Sequence, residues 1–382
     1  LNFLFGQIDE VRRITEKLCS SEFHGRGYVN KGDSIAASFL VNEFKTLGIL
    51  PYKKSYVQPF KLNVNTFPGE MSVSQRGKEF IPGLHFSIDP SSKGSPEKQL
   101  IFKEIPPNEV LNISYLKSAL DESLSEASSV NALLFDLTLL SEDTLKLVQG
   151  IINELAEHVP IVELVNKKFT WSVGRSQTFW PYFQIQDSVF DKSAPLEISI
   201  DALFIPNYSS QNVIGYIPAK KKCSKTILFT AHYDHLGRMG SKTYFPGAND
   251  NASGTAMLLT MARHFKENPS EYNIMFIAFA GEEAGLVGSK YFVENPILKL
   301  EKIRFLINLD IMGSGEDGIT VVNATLFEKE FELLQQINSE QNLLSAVKKR
   351  GPAANSDHYW FTEKGVPAVF IYTSGPNKNY HD

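Results

Sequence analysis

Cysteine is nearly absent: Cys19 and Cys223 are the only two in 382 residues. That is too few for a disulfide framework or a cysteine-rich metal site, and they read as buried free thiols. Long hydrophobic runs are missing too, so no segment reaches the ~20 apolar residues that a membrane-crossing helix needs. Positive charge is not in excess. Lys and Arg number 38 against 43 Asp and Glu, a net charge of -5, which speaks against nucleic acid as a partner. The one basic cluster, Lys220 to Lys222, reads as a solvated turn. There is no internal repeat, no low-complexity tract and no Gly-x-Ser-x-Gly nucleophile elbow, which removes solenoids and serine hydrolases from consideration.

What is present is ordinary globular material, 42% hydrophobic, in a chain longer than one core usually supports. Two domains, or one domain with a large insertion, are expected. The chain opens on Leu1 rather than Met and reads as a processed product, although no signal peptide is visible.

Apolar residues recur at helical spacing over 8–18 and again over 34–47, where Gly48 ends the pattern. Between them, Ser20 to Gly27 is Gly-rich and reads as a loop. From about 56 to 205 the character changes: Pro, Gly, Ser and Asn punctuate short β-type runs such as 133–137 and 161–165, with one helical pattern at 141–158. This stretch reads as an inserted accessory domain of mixed α and β structure, with residues 1–55 and 206–382 forming the main domain. After Asn212 strand-like runs at 212–217, 226–231, 273–280, 304–309 and 367–372 alternate with helical patterns at 255–267, 283–294 and 326–343. Such alternation predicts an α/β fold, a mostly parallel central sheet sandwiched by helices.

Open α/β sheets bind ligands outside the carboxyl ends of their strands. Those positions are acidic in this sequence. The run 226–231 leads into His232 and Asp234, the following loop carries Asp250, the run 273–280 leads into Glu282 and Glu283, and 304–309 ends in Asp310. Taken singly, each has an ordinary structural explanation: Asp250 or Ser253 as a helix cap, the Glu pair as partner of a helix dipole, His232 as a satisfied polar group. Gathered in one crevice, five carboxylates cannot all ionise without positive charge nearby. Lys and Arg are scarce in these loops, so bound cations are the economical answer, and imidazole beside carboxylate suits zinc better than magnesium or calcium. Two metals with a bridging carboxylate need about five ligands. His232, Asp250, Glu283, Asp310 and one further histidine supply them.

These motifs resemble the zinc-dependent aminopeptidase family of bacterial leucyl-type aminopeptidases, to which glutamate carboxypeptidase and, more distantly, glutaminyl cyclase are related. The resemblance rests on Ala-His-Tyr-Asp-His-Leu-Gly (231–237), Gly-Ala-Asn-Asp-Asn-Ala-Ser-Gly (247–254), Ala-Gly-Glu-Glu-Ala-Gly (280–285), Asn-Leu-Asp (308–310) and Ser-Asp-His (356–358), and more weakly on 20–27. It implies a zinc-exopeptidase fold, and the insertion resembles a protease-associated domain. It also implies two zinc ions per chain, one held by His232, Asp250 and Asp310, the other by Asp250, Glu283 and His381, with Asp250 bridging. His358 is the rival to His381. Glu282 becomes the general base, Asp234 the group that orients His232, and Tyr380 the hydroxyl that steadies the oxyanion. A cis peptide is implied between Asp250 and Asn251. His24, His85, His158, His235 and His264 are left as structural. The chain stops at Asp382, where relatives continue into another helix, so His381 is expected to be anchored by metal or by residues beyond this sequence.

The expected activity is therefore removal of residues from peptides with a free N-terminus, in a secreted or periplasmic setting inferred from the class alone. A zinc carboxypeptidase or dipeptidase is the alternative, with Arg238 or Arg350 available to grip a substrate carboxylate. A glutaminyl cyclase ranks lower, because the full ligand set favours two metals. Receptors that have lost their ligands rank lower still. Neither side-chain preference nor oligomeric state is legible.

Overall fold

A computed structural model describes residues 2–377 and 379–381. It divides into two compact units. The first comprises Leu1–Leu62, Tyr208–Gly237 and Phe245–Tyr380; the second comprises Asn63–Asn207 with Arg238–Tyr244 and His381–Asp382.

The first unit is built on a nine-stranded sheet of β1 (Leu50–Pro51), β2 (Val57–Thr66), β3 (Leu203–Ile217), β4 (Thr226–His232), β5 (Asn273–Phe279), β6 (Ile303–Leu309), β7 (Ile319–Val322), β8 (Val347–Lys349) and β9 (Ala368–Thr373). Their order is β1-β3-β5-β4-β6-β9-β7-β8, with β2 also paired to β3. Four central strands, β5, β4, β6 and β9, run parallel, while β3 and β7 join them antiparallel on either side. β4 and β5 are near-continuous apolar runs because both faces of the sheet are covered. One face packs Phe279, Phe292 and Phe361 at centroid distances of 5.6 to 6.2 Å, and the other stacks Phe229 on Phe276 at 5.8 Å. The expected α/β sandwich is what forms.

Helices α1 (Asn2–Cys19), α2 (Gly32–Thr46), α3 (Gly254–Glu267) and α5 (Glu328–Gln341) fall on the periodic segments. One expectation shifts. The helix read from Glu283 begins only at Val287 (α4, Val287–Glu294). The residues ahead of it form a tight turn with Gly281, Gly285 and Leu286 at positive φ, and the Glu282 and Glu283 amides point to the Asp234 carboxylate. The Glu pair therefore does not serve as a helix start. Strands β7 and β8 and the short helix α6 (His358–Glu363) went unread, being too brief for periodicity to register. Among the described residues Cys19 and Cys223 are free thiols, each partly rather than fully buried.

The second unit holds two sheets. Five strands in the order Phe86–Ile88, Tyr182–Gln186, Ile161–Val165, Ala132–Asp136 and Phe102–Ile105 pack against helices Ile113–Leu124 and Glu142–Ala156, burying Leu133, Phe135, Val148 and Ile152. A four-stranded antiparallel sheet contains Met71–Gln75, Leu196–Ile200 and Ser95–Leu100.

Candidate metal centre

β4, β5 and β6 run parallel and therefore end on the same side of the sheet, which delivers their terminal loops to one place. His232 is the last residue of β4, Glu282 and Glu283 follow β5, Asp310 follows β6, and Asp250 comes from the turn that opens α3. His232, Asp250 and Asp310 are buried, while Glu282 and Glu283 are partly exposed.

Two carboxylates converge on one ring nitrogen. His232 Nε2 stands 3.1 Å from Asp250 Oδ1 and 3.2 Å from Asp310 Oδ1. On the other side of the ring, Nδ1 lies 3.2 Å from the Asp234 carbonyl oxygen, which can only accept, so the proton belongs on Nδ1 and Nε2 is left to face the acids. Asp234 is the group expected to orient His232 through this distal ring nitrogen. Its main chain makes the closer contact, and Oδ1 is 3.8 Å away. The fully buried carboxylate instead accepts the N–H groups of Glu282 (3.2 Å) and Glu283 (3.3 Å), pinning the turn that carries both glutamates.

Asp310 is oriented by a relay across three elements: Thr230 Oγ1 donates to Asn308 Oδ1, Asn308 Nδ2 to Ser356 Oγ, and Ser356 Oγ to Asp310 Oδ2, each at 2.7 Å. The Asp250–Asn251 peptide is cis, as the resemblance implies. Asn251 donates to the Leu309 carbonyl and accepts from the Gly254 and Ile311 amides, tying the turn to the end of β6.

Three contributors were missed by sequence reasoning. Arg26, fully buried, donates to the carbonyls of Tyr233, Pro246, Gly247 and Leu18 at 2.6 to 3.1 Å, with Asp250 at 3.4 Å, so one guanidinium clamps the loops that carry His232 and Asp250. The only signal was the pattern at 20–27. His235, set aside as structural, hydrogen-bonds Glu283 through Nδ1 at 2.7 Å. Its place directly after Asp234 in a ligand-bearing motif was the available hint. Asp357, also fully buried, lies in the electrostatic reach of His232 and Asp310; burial pushes its carboxyl up to about 7, against the pull of His232.

Burial likewise drives Asp234 up to about 8 and Glu282 well above the usual carboxylate range, in both cases against the pull of His232. For His232 the balance is reversed: burial opposes its charge, and the facing carboxylates of Asp310 and Glu282 outweigh it, raising the imidazole. This is the electrostatic signature of a site short of positive charge.

The donors fit a metal of zinc type. Ligand atoms of His232, Asp250 and Glu283 lie within 4.8 Å of one another, as do those of His232, Glu282 and Asp310. Mixed imidazole and carboxylate donors match zinc chemistry. His358 enters neither group among the described residues; it is fully buried in α6 with its ring against Phe370 at 5.4 Å. His381 belongs to the second unit, where its carbonyl accepts the Trp171 N–H at 2.9 Å. Tyr380 joins His232, Asp250, Glu282 and Asp310 in lining a cleft of about 290 Å³ whose other walls include Ile311, Phe370 and Tyr372. Arg238, a candidate carboxylate grip, lies in the second unit; Arg350 lines the cleft.

Among the described residues no helix is long and apolar enough to cross a membrane. Aminopeptidase YwaD of Bacillus subtilis (strain 168) is 36% identical over 184 residues, covering 44% of this chain and 36% of that protein. A probable leucine aminopeptidase of Arthroderma otae is 24% identical over 242 residues, covering 59% of this chain and 63% of its own length. The chain thus spans less than two thirds of these relatives. Two solved structures share the fold: BSAP, a zinc aminopeptidase from Bacillus subtilis, at TM-score 0.67 and 20% identity over 97% of this chain and 86% of that one, and an aminopeptidase from Aneurinibacillus sp. strain AM-1 at TM-score 0.63 and 19% identity over 98% and 86%. Residues 212–382, the stretch that carries every strand-end donor described above, match peptidase family M28.

Proposed function

We propose that this protein is a two-zinc aminopeptidase that hydrolyses the first peptide bond of peptides with a free N-terminus. One observation carries the reading: the convergence of His232 Nε2 with Asp250 and Asp310, beside Glu282 and Glu283, in a cleft at the strand ends. In the assignment carried over from the resemblance, His232, Asp250 and Asp310 would hold one zinc and Asp250, Glu283 and His381 the other. Zinc, when bound, polarises a carbonyl and makes a water molecule acidic enough to lose its proton near neutral pH.

The chain's own groups do the rest. Glu282 accepts the proton of the attacking water and passes it to the leaving amine; a carboxyl held above its usual range is suited to both steps. Asp234 fixes the Glu282 backbone so that the carboxylate stays aimed at the cleft. The Tyr380 hydroxyl, raised by burial and by nearby carboxylates, stays protonated and can donate to the developing oxyanion. An acid-lined cleft also draws in the ammonium of a peptide N-terminus, which favours this reading over a carboxypeptidase. We read the unit 63–207 as an accessory, protease-associated-like domain.

The test is Glu282→Gln. A proton carrier that is not a ligand should cost about 10²- to 10⁴-fold in kcat on leucine 4-nitroanilide while leaving zinc content unchanged by elemental analysis. Loss of zinc in step with activity would make Glu282 a ligand and overturn the assignment.

A further inference from the structure

Among the described residues Arg350 is the only lysine or arginine lining the cleft, which also carries the acids Asp250, Glu282 and Asp310. It is held in place from two directions. Its backbone N–H donates to the Val321 carbonyl at 3.0 Å, directly after β8 pairs with β7, and its Nη1 donates to Tyr372 Oη at 3.3 Å. The guanidinium also lies over the Tyr372 ring, 6.0 Å from the centroid. Among the described residues no carboxylate forms a salt bridge with it. A guanidinium steadied by stacking on one side and still carrying unused N–H groups is organised for two-point binding of a carboxylate. At about 290 Å³ the cleft admits one or two residues of a peptide, so that carboxylate must lie near the cleaved bond.

We propose that Arg350 forms a carboxylate subsite, and that the preferred substrates are short peptides carrying a negative charge close to their N-terminus. This rests on reading the cleft as a peptide site. Two sources present that chemistry: an acidic side chain on the first residue, and the free C-terminus of a dipeptide. Ile311 and Phe370 supply apolar wall in either case.

Calorimetric binding to the zinc-loaded Glu282→Gln protein separates the sources. One pair is Leu-Ala against Leu-Ala-amide, the other Glu-Ala-amide against Gln-Ala-amide. The carboxylate member of at least one pair should bind about tenfold tighter, the first pair reporting the C-terminus and the second the side chain. Adding Arg350→Ala should bring that ratio close to one, and Arg350→Lys, which keeps the charge without the fork, should leave it in between. Ratios near one before the change, ratios that survive Arg350→Ala, or no binding of any of the four peptides would overturn the subsite. Turnover of the same peptides by the unmodified protein separates the two readings. A binding preference without hydrolysis would leave the subsite standing and the aminopeptidase reading wrong, while hydrolysis without a preference would do the reverse.

Discussion

At the scale of single residues, the groups that could be read in advance were those that motif and strand-end position single out together: His232, Asp250, Glu282, Glu283 and Asp310. Their supports could not be read, because each reaches its target across long sequence distances. Arg26 meets Pro246 and Gly247, and Thr230 reaches Asp310 only through Asn308 and Ser356. No local pattern encodes such a meeting; it exists only once the sheet has brought the loops together. His358 offers a residue-scale test of burial. Buried against Phe370, it is pulled down to about 4 from 6.5 by the loss of solvation, which outweighs the backbone groups of Ala353 and Ser356 that favour its charge. A histidine depressed on folding binds its proton more tightly when unfolded, so its contribution is intact above pH 6.5 and is lost as pH falls toward 4. That loss amounts to about 3 kcal/mol. Urea unfolding at pH 7 and pH 4 should therefore show the parent protein losing more stability than His358→Phe, which keeps a ring against Phe370. Equal losses would mean that this imidazole is solvated.

At the scale of elements, the turn from Gly247 to Gly254 does the most to assemble the site. Gly247 has φ of +57°, and a Cβ there would run into the Asp250 carbonyl and the His235 ring. Gly247→Ala should cost at least about 2 kcal/mol, from left-handed strain and the displaced neighbours, and should weaken zinc binding because both neighbours act at the donor cluster. Denaturant unfolding with a parallel zinc titration checks both effects. A stable variant with unchanged zinc affinity would show that the turn can shift without moving Asp250. The elements themselves were largely legible wherever apolar periodicity was long: β4, β5, β6, β9, α2, α3 and α5. The exception at Glu283 is physical, since the Asp234 carboxylate captures amides that a helix start would otherwise have left to solvent.

At the scale of the whole molecule, a sheet that ends in so many buried acids is incomplete without cations. Removing metal should therefore be visible far from the chemistry. With free zinc at 100 times its dissociation constant, linkage gives about 2.7 kcal/mol of stabilisation, and the metal-stripped protein should melt several degrees lower and recover when zinc is returned. A melting temperature indifferent to chelation would mean that the carboxylates are satisfied in some other way. The division of the chain shows what composition can and cannot reveal. The change in character after about residue 56 is plain in the sequence. The second unit's inclusion of Arg238–Tyr244 and His381 is not, because those segments join it through tertiary contacts, such as Trp171 with His381, rather than through any local signal.

The central claim is tested most directly by mass spectrometry of one unblocked oligopeptide and its N-acetylated twin, each incubated with the zinc-loaded protein. The account predicts a ladder of products shortened stepwise from the N-terminus of the free peptide and an untouched acetylated one; shortening from the C-terminus, loss of ammonia from an N-terminal glutamine, or no change in either peptide would contradict it.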